Sequence, residues 1–391
     1  MSKSRHASSE FLDFPEGSNV TGPVSPVRVA LDEEGIPRQL PVTEWLDGLP
    51  MIDSRGFQAI LRFCRADGSV VFGPTGRSLS RLRRLDQVAE RLADPSLAAV
   101  VARWLPSSRA AVYGLVTPPL PSYCSRDRPL AIFRADWSPR GDVLAVDHRQ
   151  IGPESQLEAG SKGQVWLGPS WTSSRLEGRV SSPRQTSSTS TAFAQSLEWS
   201  FKAGTTRVTR SVTLLRGKSM ALLGQQVDGP MEDSEIRLAL PNGIEATVVA
   251  GTRSVQLRAG VGKPTARLIP LGLPGHDWPS DRGSIRVEGR EVVIHQRTEG
   301  KRDWLPVLLT WNQSPTFWRS LTVAHRSRAV PADLAVAYRV AWRPTDPGVL
   351  IYRSLGPPDL RSVLGHQTSA RILVGTLTRN GEVVSILKVE R

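Results

Sequence analysis

The feature that most constrains this chain is a period of two. From Leu130 to the C-terminus, apolar and polar residues alternate in short runs, broken by turn residues roughly every 8–15 positions. Ala131 to Trp137 is one run and Asp142 to Val146 another, and Gln156–Leu157 and Gln164–Leu167 continue the pattern. About fourteen further runs follow, from SLEWSFKAG to EVVSILKVE. Neighbouring residues on a strand point to opposite faces, so each run offers one apolar face for a second sheet to cover. Asn242-Gly243, Glu288-Gly289 and Asn380-Gly381 suit tight turns between such strands. There is no fixed-length repeat, which argues against a propeller or solenoid. The expected fold is mainly β: a large antiparallel β-sandwich of two stacked sheets, supersandwich-like, preceded by a small α+β unit.

The organisation follows from where the period changes. Residues 1–20 are polar and expected as a disordered tail. Residues 21–116 read as the small α+β unit. VRVALDEEGIPRQL predicts a hairpin turning at Asp32–Gly35. Phe57 to Cys64 and Val70 to Phe72 predict a second one around Ala66-Asp67-Gly68-Ser69. Ser78 or Ser80 suits the cap of a helix through LRRLDQVAERLA, with Leu82, Leu85, Val88, Ala89 and Leu92 on one face. Pro95 opens a second helix, with Leu97, Val100, Val101 and Trp104 inward, and Pro106 stops it. Residues 117–129, TPPLPSYCSRDRP, read as a linker, and 130–391 as the β domain.

The formal net charge is +13, and of the 50 basic residues 43 are Arg. Two readings remain open. One is a GC-rich genome that writes Arg in place of Lys. The other is a polyanion partner, because the guanidinium fork binds carboxylate, sulfate and phosphate in a bidentate way. The arginines form no long run, so a nucleic-acid partner is not expected. Cys64 and Cys124 are too few and too far apart for a metal knuckle; they are expected as buried free thiols, a single disulfide being the alternative. No apolar run is long enough to span a bilayer, and no membrane association is expected. MSKSRHASSEFLDFPEG has no apolar stretch that reads as a signal peptide. The expected location is therefore cytoplasmic, or periplasmic or extracellular by another export route. The oligomeric state is not legible.

Candidate sites are few. His148 stands beside Asp147, a pattern that suits a carboxylate-supported imidazole, although neighbours on a strand diverge. Nine of the 11 tryptophans follow residue 130. Most read as sheet packing. Trp171 and Trp318 each follow a Pro-containing turn, which places them at the surface, where a ring stacks on a sugar. Arg134, Arg175 and Arg319 suit carboxylate or sulfate contacts nearby. Tyr352-Arg353 lies on a predicted strand that a neighbour carrying Tyr338-Arg339 would flank; the same residues also read as an ordinary basic strand. Phosphate loop, nucleophile elbow and zinc signature are all absent, so neither a metal nor another cofactor is expected.

LAIFRADWSPRGDVLAVDHRQ, followed by SQLEAGSKGQVWLGPSW, resembles the opening of the C-terminal β domain of heparinase II/III-like polysaccharide lyases. TTRVTRSVTLLRGKSMALLGQQVDG is similar to a later stretch of that domain. The resemblance covers roughly residues 130–391 and is best over the first hundred of them. It implies an acidic, uronate-containing polysaccharide as partner. In the family, a base takes the proton next to the uronate carboxyl, and a tyrosine or histidine protonates the leaving oxygen. Part of that machinery comes from an α/α toroid, which residues 1–129 do not match. Family members carry a His-x-His-x-Asp cluster between the two opening strands. Here the corresponding stretch, Arg149 to Pro153, reads RQIGP, with only His148 near it. The implied protein is a catalytically degenerate β domain that binds acidic polysaccharide. The alternatives are an active lyase acting by β-elimination and a non-enzymatic structural or assembly protein. The candidate catalytic residues are His148 and Tyr352. The candidate substrate contacts are Arg134, Trp171, Arg175, Trp318, Arg319 and Arg353.

Overall fold

Alternating sequence becomes paired strand along most of the described chain. The computed structural model describes residues 11–14, 27–30, 53–105, 116–126, 128–161, 164–173, 176, 178–190, 194–216, 219–229, 233–249, 254–260, 265–270, 283–297, 302–311, 322–324, 334–340, 348–355, 370–379 and 382–390. The chain divides into two units, Met1–Tyr123 with Ala131–Ala145, and Cys124–Leu130 with Val146–Arg391.

In the first unit, β1 (Phe11–Phe14) pairs antiparallel with β2 (Val27–Ala30). Phe11–Phe14 is thus a strand, where the sequence reading expects a disordered tail. The second arm of the hairpin expected at Asp32–Gly35 lies outside the described residues. The next expected arm, Phe57 to Cys64, is a helix, α1 (Ser54–Phe63). Its N-cap is Asp53, whose carboxylate accepts from Gly56 N at 2.7 Å. Phe57, Ile60 and Leu61 fall at helical spacing and are all buried. The expected turn after it is present: Arg65 N donates to Ser69 O at 2.7 Å, and Cys64 bridges Val70. In α2 (Leu79–Leu92) Ser78 is the N-cap, and Leu82, Leu85, Val88 and Ala89 are buried. In α3 (Pro95–Trp104) Asp94 caps the start, Pro95 occupies the first turn, and Leu97, Val100, Val101 and Trp104 are buried. Helix α3 packs on both α1 and α2. No helix among the described residues is long and apolar enough to cross a membrane.

The remaining strands follow in order: β3 (Tyr123–Cys124), β4 (Leu130–Arg134), β5 (Val143–Asp147), β6 (Ser155–Ser161), β7 (Gln164–Leu167) and β8 (Ser170–Ser173). Then come β9 (Arg184–Ser190), β10 (Ala194–Ala203), β11 (Thr206–Leu215), β12 (Met220–Asp228), β13 (Asp233–Ala239), β14 (Glu245–Val249), β15 (Ser254–Arg258) and β16 (Thr265–Pro270). The last are β17 (Gly283–Glu288), β18 (Glu291–Arg297), β19 (Arg302–Trp311), β20 (Thr322–Ala324), β21 (Leu334–Val340), β22 (Gly348–Leu355), β23 (Ala370–Arg379) and β24 (Glu382–Glu390).

An eight-stranded antiparallel sheet runs β14-β15-β16-β19-β12-β11-β10-β9. A nine-stranded sheet runs β17-β18-β13-β8-β6 through the second unit, with β7 on β6. Strands β20-β21-β22-β24-β23 form a five-stranded sheet. Tight turns set the register. Ala203 pairs with Thr206 around Gly204, whose φ of +58° a β-carbon disfavours, and Glu288 pairs with Glu291 around Gly289 at +56°. The eight-stranded sheet turns Leu197, Trp199, Phe201, Val208, Val212, Leu214 and Leu223 inward, all buried. The nine-stranded sheet meets them with Leu157, Trp171, Ile236, Leu238, Val292 and Ile294, also buried. Trp171 and Trp199 touch edge-on across the gap, with ring centroids 5.9 Å apart. The protein is mainly β, a sandwich of antiparallel sheets with three described helices ahead of it in sequence.

Candidate functional site

The centre of the sandwich is polar. Period two puts Arg210 of β11 on the inward face with Val208 and Val212, and its side chain is fully buried. Its guanidinium spans the two sheets. Nε donates to Gln225 Oε1 (3.2 Å), Nη1 to Ser155 Oγ (2.6 Å) and Trp171 O (3.2 Å), and Nη2 to Pro153 O (2.8 Å) and Ser173 Oγ (2.8 Å). Ser173 also donates to Gln225 at 2.5 Å. The same guanidinium lies over the rings of Trp171 (4.9 Å) and Phe201 (5.3 Å). Among the described residues no carboxylate bonds to it. Burial lowers its pKa to about 9, and Glu154 offsets part of that fall.

His148 completes this centre. Its Nδ1 lies 2.8 Å from Trp199 Nε1 and 2.9 Å from Ser155 Oγ. An indole N–H only donates, so Nδ1 is an acceptor and the ring proton sits on Nε2, which donates to Gly152 O at 2.9 Å. The ring is 1% exposed, and burial, followed by the positive charge of Arg210, lowers its pKa to about 3. It is therefore a neutral core imidazole with both nitrogens engaged. Asp147 does not support it. Its carboxylate takes Arg149 Nε at 3.0 Å and Nη2 at 2.8 Å. The RQIGP stretch thus supplies the Arg149 clamp and two core acceptors, Gly152 O and Pro153 O, and holds no metal-ligand set. Among the described residues no group of three or more His, Cys, Asp or Glu is placed to hold a metal ion.

The structure places the other sequence candidates as follows. Trp171, expected at the surface, is fully buried. Register sets it opposite Ser155 and Leu238, on the inward face of β8, while Ser170 and Thr172 take the outward one. Arg134 is 4% exposed; its Nε and Nη2 donate to Arg62 O at 3.0 and 2.9 Å, and Nη2 also to Cys64 O. It is a buried cation on the C-terminal carbonyls of α1. Arg175, Trp318 and Arg319 lie outside the described residues. Tyr352 and Arg353 lie on β22, and β21 is its neighbour, as the sequence reading expects. Ala337 stands opposite Tyr352, so positions 352 and 339 share one face of the sheet, and 338 and 353 the other. Sequence reasoning missed Arg210, Ser155, Ser173, Trp199 and Gln225. The signal was there for Arg210: it falls in step with Val208, Val212 and Leu214, all of which the pattern turns inward.

No family model and no curated protein matches the chain. Solved structures do. Heparan sulfate lyase HepC from Pedobacter heparinus aligns with a TM-score of 0.52 at 11% identity, covering 76% of this chain and 50% of that one. A mutant of the same lyase gives 0.53 over the same shares. A heparinase III gives 0.55 at 10% identity, covering 82% of this chain and 57% of that one. The chain spans about half the length of the solved structures it matches. It shares their fold.

Proposed function

We propose that this protein is a heparinase-like β-domain protein that binds an acidic polysaccharide through an arginine-rich surface and does not cleave it. The observation that carries the reading is the fold likeness to heparan sulfate lyases across 76–82% of the chain. The net charge of +13 fits a polyanionic ligand. Absence of cleavage rests on His148, the histidine nearest the stretch where the resemblance expects a catalytic cluster. It is buried, neutral and fully hydrogen-bonded inside the sandwich.

The test is retention of the full chain on immobilised uronate polymers at low salt, where charge-driven binding is strongest, beside an ultraviolet assay for unsaturated products. Retention with a flat absorbance trace is expected. No retention on any uronate polymer ends the binding reading. A rising trace, with or without added divalent metal, replaces it with an active lyase.

A further inference from the structure

Arg210 and Arg134 are held in the core, but a separate group of cations stands on the solvent side of the eight-stranded sheet, where β9, β10 and β11 meet. Trp199 and Phe201 point into the core, so Glu198, Ser200 and Lys202 point away from it. Register sets Lys202 opposite Arg207 of β11, and Ser200 opposite Arg184 of β9. The segment before β9 runs beside the same hairpin. Val180 bridges Ala203, Ser181 N donates to Lys202 O at 2.8 Å, and Gly204 N donates to Arg179 O at 3.1 Å. Arg179 therefore joins that face.

All four cations are exposed. Among the described residues none of the four forms an ion pair; Arg207 reaches only Ser200 Oγ, at 3.2 Å. Among the described residues two carboxylates, Glu198 and Asp228, share the face. Glu198 accepts from Thr186 Oγ1 at 2.8 Å, and Asp228, opposite Arg207, accepts from Gln226 Nε2 at 2.6 Å. The outer face of β13, β17 and β18 is different: there Arg237 and Arg286 are tied to Glu235, Glu288 and Glu291 at 2.5–3.1 Å. Like charges directly opposite on neighbouring strands repel, and an intervening anion relieves them. Register sets Lys202 and Arg207 about 5 Å apart across their strands, and Arg184 diagonal to Lys202 at about 7–8 Å. Ser181, Ser182 and Thr186 supply hydroxyls beside them. The arrangement fits a chain bearing repeated anionic groups and sugar hydroxyls.

We infer that the face carrying Arg179, Arg184, Lys202 and Arg207 is the binding site for the sulfate and carboxylate groups of an acidic glycan. This rests on the polysaccharide reading above. The test uses the full-length chain and a heparin-derived oligosaccharide, titrated at low salt. One variant carries Arg179→Gln, Arg184→Gln, Lys202→Gln and Arg207→Gln. A control removes the same charge elsewhere, through Arg77→Gln, Arg83→Gln, Arg84→Gln and Arg140→Gln, all at exposed positions. Both are checked by melting against the unaltered chain. The site variant is expected to bind at least about tenfold more weakly, and the control to stay within about threefold. Equal losses in the two variants, or none in the site variant, overturn the site and leave the polysaccharide reading standing. No binding by the unaltered chain overturns both. Tighter binding of duplex DNA than of heparin, lost in the site variant, assigns the face to nucleic acid and overturns the inference.

Discussion

His148 makes stability depend on pH in a window where the buried Arg210 does not titrate. In the folded protein its pKa is lowered from 6.5 to about 3, so between these values the unfolded chain holds a proton that the folded chain refuses. Stability from this residue is fully present above pH 6.5 and is lost as pH falls toward 3. The slope approaches about 1.4 kcal/mol per pH unit, so lowering the pH from 7.5 to 4.5 removes about 3 kcal/mol through His148 alone. Carboxylates add their own pH dependence, but they are common to a His148→Asn variant and cancel in the difference. Asparagine keeps an acceptor near Trp199 Nε1 and has no titration. It loses the bond to Gly152 O, so at pH 7.5 the variant is expected to be less stable by about 1–3 kcal/mol. Urea unfolding of both proteins at a series of pH values, with m-values compared, gives the result directly. The gap between the two stability curves should shrink by about 3 kcal/mol as the pH falls from 7.5 to 4.5, so that it closes or reverses. Parallel curves would refute the buried, neutral imidazole.

Other outcomes follow from the same geometry. Arg210→Met leaves Trp171 O and Pro153 O without their donor while releasing a buried charge, so a net loss of about 1–3 kcal/mol is expected in urea, and an unchanged midpoint contradicts it. Gly160→Ala would place a β-carbon 2.2 Å from Gln164 O, backbone that cannot swing away, so the β6–β7 pair must shift and the melting temperature should drop. Burial pushes the Cys64 thiol up to about 12, so it should resist iodoacetamide at pH 8 in the folded protein and react once urea is added; labelling of the folded chain at Cys64 would contradict this.

The strands were legible because alternation is a direct imprint of sheet geometry, and the 196–311 runs map onto β10 to β19. Helices α2 and α3 were legible from their caps and spacing. Helix α1 was not, because FQAILRFC places Phe57, Ile60, Leu61, Phe63 and Cys64 so that either period accommodates them. The deciding signal was Asp53, one residue before the helix and three before the Gly56 amide it caps. Trp171 misled because a preceding Pro-containing turn says nothing about which face the next residue takes; pairing with Ser155 and Leu238 decides that. The inter-sheet centre was hidden for a similar reason. Ser155, Ser173, Arg210 and Gln225 come from four strands, and only cross-strand register brings them together. The surface cations share this dependence, since Arg179, Arg184, Lys202 and Arg207 become one group only through the β9–β10–β11 alignment.

The proposed site for acidic glycan is charge-driven. Its most direct measurement is the affinity of the full chain for heparan sulfate, read against dextran across a series of salt concentrations. Binding of heparan sulfate should weaken steeply as salt rises, and dextran should not bind. No binding of heparan sulfate at low salt, or equal and salt-independent binding of both polymers, would contradict it.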